Sequence, residues 1–320
     1  MTNLKKIGLT ALAGSLVATS AFAGSLSVTG GAKMSYTAKT GSSNGENGSR
    51  WGMQKLMSFN GSGELDNGNS VSLSHNMTAI GGHSSSLLTY DMGDMGTIMM
   101  TDGAGGLGIG GIDDLMPTAV EEPWDGLGTA AVTKNGYAAG GSDGFEYTNT
   151  SMDGVKIEIG HGMRGGMNDD GGVSGTGAIK SNTSVAIQYT GIEGANIFYG
   201  TGSAGTTATA ETDYDTYGVT YAMGGATVGI QMTDSDASGT KHENVAYGIS
   251  FAVNDDLSVS YGQSTVEAVG TTSPDQEISG VSVGYSMGGL TLQAHANEGD
   301  NIGNSANNYE HTELTVSFAF

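Results

Sequence analysis

Seven tight connections recur along the chain, and segments of alternating apolar and polar residues flank them. Gly, Asn and Asp, which supply the positive φ of hairpin turns, dominate these connections. They lie near residues 66–69, 92–95, 151–154, 191–194, 223–225, 254–256 and 287–289, and longer polar segments lie near residues 40–51, 81–84, 102–142, 165–179, 203–212, 234–243, 267–276 and 298–308. Short and long connections therefore alternate, and together they predict sixteen antiparallel strands.

The alternation gives the two faces of each strand opposite characters. Val281, Val283 and Tyr285 fall on one row, whereas Ser282 falls on the other. The sheets of a water-soluble sandwich also alternate, so this pattern alone does not exclude a soluble fold. Apolar residues make up only 37% of the chain, with 56 glycines and 3 prolines, and a lipid-facing band around a wet lumen explains this shortage. The sequence thus predicts an all-β fold, a transmembrane antiparallel β-barrel of 16 strands with short periplasmic turns.

The N-terminal residues 1–23 have the pattern of a secretory signal peptide. Lys5 and Lys6 precede a short apolar stretch, and the small residues Ala21 and Ala23 stand at the −3 and −1 positions of the expected cleavage site. Cleavage there leaves a single barrel domain at residues 24–320. The formal net charge is −22, and losing Lys5 and Lys6 takes it to −24, which argues against nucleic acid as a partner. The chain has no cysteine, so a disulfide framework is excluded.

The last residues predict how the barrel closes. Leu314, Val316, Phe318 and Phe320 fall on alternate positions of the final segment. In lipid the final strand has to pair with the first, since unpaired backbone groups are costly there. This ending resembles the C-terminal signature of outer-membrane proteins, which the barrel-assembly machinery reads during biogenesis. Outer-membrane lipid and lipopolysaccharide are then the expected surroundings of the apolar row.

The architecture resembles the general diffusion porins of Gram-negative bacteria, sixteen-stranded trimeric proteins of the outer membrane. The resemblance in motif lies in YDMGDMGTIMM, in the long segment after it and at the C-terminus. Asp114-Leu115-Met116-Pro117 is similar to the Asp-x-Leu-Pro of family members. The resemblance implies that the third loop, residues 102–142, folds into the lumen, and that the protein is a homotrimer through which small solutes pass.

Acidic residues cluster in this third loop. They are Asp113, Asp114, Glu121, Glu122 and Asp125. In a water-filled constriction such a cluster raises the local concentration of cations and discourages anions. The alternative is a solvated surface loop that bears ordinary charges.

The basic side of the constriction is sparse. Lys33, Lys39, Lys156 and Arg164 fall on polar rows and are the predicted lumen wall, whereas the alternation does not assign a face to Arg50 or Lys55. Family members often end the strand before the third loop in Gly-Arg, but here that place reads Thr101-Asp102. Because so few basic residues are predicted on the lumen wall, the prediction shifts toward a weak preference for cations.

The remaining motifs give little evidence for a binding or catalytic site. The glycines of residues 106–111 fit a dinucleotide fingerprint, but no helix pattern follows them. The six histidines lack the spacing of a metal site, and no nucleophile, base and oxyanion set can be assembled, so we expect no enzyme activity, cofactor or metal. Two alternative functions remain. One is a secreted or surface β-rich adhesin or surface-layer protein, and the other is a solute-specific channel on a similar barrel.

Overall fold

The computed structural model describes residues 24–41, 47–77, 82–127, 143–163, 181–205, 210–237 and 239–319. The predicted signal peptide, Arg164 and Phe320 lie outside these ranges. Sixteen strands form one closed antiparallel barrel in which every strand pairs with its neighbours in the sequence. This confirms the predicted fold class and strand number. In the described ranges no helix combines the length and the apolarity needed to cross a bilayer.

The strand bounds vary around the barrel. They are β1 Ser25–Gly41, β2 Gly48–Glu64, β3 Ser70–Met77, β4 His83–Asp91, β5 Thr97–Asp102, β6 Gly144–Asn149, β7 Val155–Gly162, β8 Asn182–Tyr189, β9 Ala195–Gly205, β10 Glu211–Met223, β11 Ala226–Ala237, β12 Thr240–Ala252, β13 Leu257–Val269, β14 Gln276–Met287, β15 Leu290–Asp300 and β16 Tyr309–Ala319. The shortest strands, β5 and β6, flank the long third loop. Strands β10–β14 are longer, with 12 or 13 residues each.

Pairing between the first and last strands closes the barrel. The register of β1 and β16 runs without a break from Gly31 opposite Ala319 to Gly41 opposite Tyr309. This ladder gives the final strand partners on both sides, because β15 pairs with its other edge. The backbone of the seam is thus satisfied internally, as a spanning sheet requires.

The seven short turns lie where the sequence predicted them, on one edge of the barrel. The opposite edge carries the longer connections, with one correction at residues 234–243. There the expected loop is replaced by strand, since β11 and β12 remain paired as far as Ala237 opposite Thr240. The charges on this hairpin pair locally, because Lys241 Nζ lies 2.8 Å from Glu243 and 3.6 Å from Asp234. Polar composition alone therefore did not distinguish a loop from a strand end that extends into solvent.

Apolar side chains cover the exterior of the barrel, as the alternation predicted. Val281 and Leu314 are about half exposed, whereas Ser282 and Thr315, on the opposite rows, are buried. Lipid rather than protein must cover these outward rows. The predicted C-terminal row follows the same rule, because Phe318 is also exposed on the outer surface.

Polar side chains interrupt the outward rows on β2–β5. His75 pairs across the strands with Phe59 and Ser86, and its Nδ1 lies 2.9 Å from the Ser86 hydroxyl. Asp102 is the next outward neighbour of Ser86 on β5. Lys55 lies opposite Ala32, on the same outward face of β1 and β2. The exterior of β2–β5 therefore carries polar groups that are costly against hydrocarbon.

Candidate functional site: the lumenal segment and the wall it contacts

The third loop supplies several of the buried apolar side chains of the barrel interior. Residues 103–127, which we call the lumenal segment, contribute Leu107, Ile109, Ile112, Met116 and Leu127, all at most 6% exposed. They pack on inward-facing wall residues that include Ala186, Phe198, Ala246 and Ile278. The described part of the loop therefore lies against the inner wall. Its side chains occupy space that a barrel of this size would otherwise leave to water.

Early in the segment a short 3-10 turn, Gly108–Gly111, contacts β7–β9. The Gly108 N–H donates to the Glu146 carboxylate on β6 at 2.7 Å, and the Ile109 N–H donates to the Ser184 hydroxyl on β8 at 3.1 Å. Gly108 has φ +57, and a side chain there would overlap Ser184. Gly108, one of the glycines that resemble a dinucleotide fingerprint, thus allows close approach of the backbone to the wall.

Gln231 on β11 holds the middle of the segment. Its amide Nε2 donates to the carbonyl oxygens of Ile112 and Asp113, each at 3.0 Å. Its Oε1 accepts from the Leu115 N–H at 3.2 Å. The side chain is completely buried, so it satisfies backbone groups that water cannot reach.

Two further wall side chains hold the later part of the segment. The Ser260 hydroxyl on β13 accepts from the Ala119 N–H at 2.9 Å. Asn297 on β15 donates through Nδ2 to the carbonyls of Glu122 and Asp125, at 3.2 and 3.0 Å. The segment is therefore attached to the wall from β6 to β15.

A row of four glycines makes room for the two prolines of the segment. Gly229, Gly248, Gly262 and Gly280 are direct cross-strand neighbours on the inward faces of β11–β14. A Cβ on Gly229 or Gly248 would lie 2.7 or 3.0 Å from Pro117, and one on Gly262 or Gly280 would lie 3.0 or 2.9 Å from Pro123. We call these residues the glycine row. They let the backbone of the segment lie directly on the sheet.

All five predicted acidic residues lie in the lumenal segment. Asp114 is exposed, and Asp113, Glu121, Glu122 and Asp125 are partly buried. Burial, followed by the charges of Asp125 and Glu122, raises the pKa of Glu121 above its ordinary value. Burial is also the main cause of the raised pKa of Glu122, to which Asp114 and Asp125 add. The carboxyl groups of Asp114, Glu121, Glu122 and Asp125 are therefore close enough to influence one another, and we call the five residues the acidic cluster.

The predicted basic residues do not form one ladder. Lys33 on β1 faces the lumen and lies 3.4 Å from the Glu313 carboxylate on β16. Lys39 on β1 faces the same side. Arg50 on β2 pairs with Thr37 on β1, and it lines a pocket together with Lys39. Lys156 is instead six strands from β1 and lies 2.6 Å from Glu158. In the described residues Lys33, Lys39 and Arg50 thus lie together on β1 and β2, Lys156 lies apart from them on β7, and Arg164 lies outside the described ranges.

The fold also brings together two histidines that sequence spacing did not connect. His295 on β15 and His311 on β16 are each 5% exposed, and their ring nitrogens Nε2 and Nδ1 are 3.1 Å apart. The Asp125 carboxylate lies 3.6 Å from His295 Nε2. Their position on inward rows of adjacent strands was readable from the alternation. The approach of Asp125 depends on the path of the lumenal segment.

Comparison with known proteins gives a family and a set of similar structures. The family model described as Gram-negative porin matches residues 8–304. A porin structure refined at 1.8 Å is similar at TM-score 0.67 and 15% identity, covering 92% of this chain and 100% of that chain. The trimer form of OmpT from Vibrio cholerae is similar at TM-score 0.67 and 12% identity, covering 93% of this chain and 100% of that chain. An anion-selective porin from Comamonas acidovorans is similar at TM-score 0.65 and 12% identity, with the same coverage of the two chains. Comparison with curated proteins gives no match.

Proposed function

Since the chain belongs to the Gram-negative porin family and is an outer-membrane porin channel, we propose that small hydrophilic solutes and ions cross it by passive diffusion, with a weak preference for cations. This proposal rests on the observation that the lumenal segment lies inside a closed barrel and bears the acidic cluster. Passive transport needs only a water-filled lumen of adequate width, and sixteen-stranded barrels provide one. Members of this family are typically channels without enzyme activity, and we propose the same here.

The sign of the selectivity rests on the charges near the segment. Glu121, Glu122 and Asp114 contribute negative charge, whereas Lys33 on the wall is paired with Glu313. Cations are concentrated where fixed negative charge lines a passage with low-dielectric walls. The fold itself does not set this sign, because the neighbour from Comamonas acidovorans is described as anion-selective.

We also propose a homotrimer that contacts its copies through the exterior of β2–β5. One structural neighbour is described as a trimer form. In this chain the polar residues Lys55, His75 and Asp102 lie on outward rows of β2–β5. Such groups are costly against hydrocarbon and are accommodated better between protein surfaces. Lipid and lipopolysaccharide then cover the rest of the exterior, and the assembly machinery reads the C-terminal row.

Planar-bilayer recording of the refolded mature protein tests the transport proposal. We expect large conductance steps in groups of three and a reversal potential of cation-selective sign under a salt gradient. The quadruple variant D113N/D114N/E121Q/E122Q should shift that potential toward zero, because it removes fixed charge from the passage. The matched control D255N/D256N removes charge from the exposed β12–β13 turn and should leave the potential unchanged.

Two results would contradict the proposal. An anion-selective potential in the wild type would reverse the assigned sign. A small conductance that one solute blocks would favour the solute-specific channel instead.

A further inference from the structure

Asp125, His295 and His311 place three potential ligand atoms within 4.8 Å of one another. We propose that they form a binding site for a divalent transition-metal ion such as Zn²⁺, at the contact between the lumenal segment and the wall. Among the residues that the structure describes, these three form the one group of histidine and carboxylate side chains that meets this spacing. The site is separate from the exposed carboxylate of Asp114.

The distances between the ligand atoms are compatible with one bound metal ion. Zn–N bonds are about 2.0–2.1 Å long in tetrahedral sites, so two nitrogen ligands of one ion lie roughly 3.3 Å apart. His295 Nε2 is 3.1 Å from His311 Nδ1 and 3.6 Å from Asp125 Oδ2. These two ligand pairs therefore have nearly the separation that one ion requires, and the third pair, Asp125 and His311, lies within 4.8 Å.

The backbone around the site is held in place without a metal. His295 and His311 are diagonal neighbours on adjacent strands, since His295 pairs with Glu313 and Asn297 pairs with His311. Asn297 Nδ2 also binds the Asp125 carbonyl at 3.0 Å. Gly126 follows with φ +75, and any Cβ there would overlap the His311 ring. The backbone therefore lies close to His311, and these contacts hold the carboxylate of Asp125 beside the two histidines.

The ligand set indicates the class of metal. Two imidazole nitrogens and one carboxylate suit Zn²⁺, Cu²⁺, Ni²⁺ or Co²⁺, whereas Ca²⁺ and Mg²⁺ prefer oxygen ligands. Three protein ligands leave at least one position for water or a solute. Without a metal, the two facing nitrogens of His295 and His311 share one proton in a hydrogen bond, and a bound ion takes its place.

An ion has a route to the site from the lumen. His311 and Gly126 line a pocket of about 410 Å³ together with Lys39 and Arg50. The side chain of Asp125 is 46% exposed, although that of His295 is only 3% exposed. Lys39 and Arg50 oppose a cation, whereas Asp125 and the neighbouring Glu313 favour one. Asp125 is therefore open to solvent, and His311 is reached from the pocket, whereas His295 lies behind them.

A bound dication would join β15, β16 and the lumenal segment through one set of bonds. It would also place two positive charges beside the acidic cluster. Metal binding is therefore expected to weaken cation selectivity, a consequence that rests on the proposed transport function. The binding itself does not depend on transport.

Calorimetric titration of ZnCl₂ into the refolded mature protein in detergent tests the site, with visible absorption of bound Co²⁺ as a second measurement. Heat-modifiable migration on a gel verifies that each variant is folded. We expect saturable binding of one ion per chain. H295Q and H311Q should each weaken it by at least about tenfold, because even the loss of an outer-shell partner costs 10–100-fold. D125N should weaken it without altering the fold, since the amide preserves the size of the side chain.

The matched control is H161Q, which removes an exposed histidine from β7 and should retain wild-type affinity. Two outcomes would overturn the proposal: folded wild-type protein that shows no saturable binding, or H295Q and H311Q with unchanged affinity. Calorimetry in detergent separates this result from the transport proposal. A protein that binds zinc but does not conduct would refute only the transport proposal, and one that conducts without binding zinc would refute only the site.

Discussion

Single buried side chains fix the lumenal segment at the residue scale. Gln231 supplies one donor group and one acceptor to three backbone groups of the segment. Asn297 donates to the carbonyls of Glu122 and Asp125. Because buried backbone groups need partners, such neutral amides attach the loop without placing another charge in the passage. The charged side chains beside it then determine its electrostatic effect.

The cation preference should depend on pH through Glu121 and Glu122. Both have a raised pKa, so they become neutral at a higher pH than a solvated glutamate, whose pKa is about 4.3. As the pH falls, the preference should therefore decline early, and it should return as the pH rises through these values. Reversal potentials measured from about pH 7 down to about pH 4 record this change.

The variant E121Q/E122Q is the control for this titration. It should start with a weaker preference and show no decline until the pH approaches the ordinary carboxyl range. If its profile falls in parallel with that of the wild type, other groups cause the pH dependence and the assignment to these two residues is wrong.

At the scale of whole elements, the glycine row determines how closely the segment approaches β11–β14. Its members follow outward tyrosines in two strands, as in Tyr247-Gly248 and Tyr261-Gly262. A large residue on the lipid side therefore alternates with an empty position on the lumen side. This alternation is a sequence signal for a sheet whose inner face is covered closely by another segment of the chain. It also accounts for part of the high glycine content.

The variant G248V should narrow the passage. A Cβ at this position meets Pro117 at 3.0 Å, so the segment has to move away from the sheet toward the lumen. Overpacking of this kind costs about 1–3 kcal/mol in ordinary cores. We expect a smaller single-channel conductance, measured in planar bilayers.

G61V is the matched control for G248V. Gly61 faces outward on β2, opposite Leu26, and a Cβ there meets only the Ser25 carbonyl at 3.9 Å. Its conductance should equal that of the wild type. Equal conductance in G248V as well would mean that the glycine row does not control the position of the segment.

At the scale of the whole molecule, the polar outward residues Lys55, His75 and Asp102 of β2–β5 lead us to expect that copies meet there. D102K reverses a charge on the outward face of β5 and should lower the fraction of trimer, because like charges are costly between protein surfaces. Unheated samples on a gel and light scattering after size-exclusion chromatography measure that fraction. The control D213K reverses an exposed charge on β10, on the far side of the barrel, and should leave the trimer intact. Trimers that tolerate D102K but not D213K would place the interface elsewhere.

The strand number, the two kinds of edge and the outward rows followed from the sequence. These features depend on local chemistry, since side chains alternate along any strand and Gly, Asn and Asp supply the backbone angles of tight turns. The predicted loop at residues 234–243 was wrong because polarity marks solvent contact and not the end of hydrogen bonding. The composition of the third loop likewise indicated an acidic cluster, and its selectivity stays a prediction.

Contacts between the lumenal segment and the wall could not be read from the sequence. Asp125 meets His295 and His311, and Gln231 meets Ile112, only because the barrel closes and the loop crosses its interior. Periodicity states which way a side chain points but not which distant residue stands opposite it. For the same reason the sequence grouped Lys156 with Lys33, because both fall on polar rows, whereas the fold places them in different parts of the wall. Local alternation thus determined the barrel, and long-range packing determined which of its inward residues form a site.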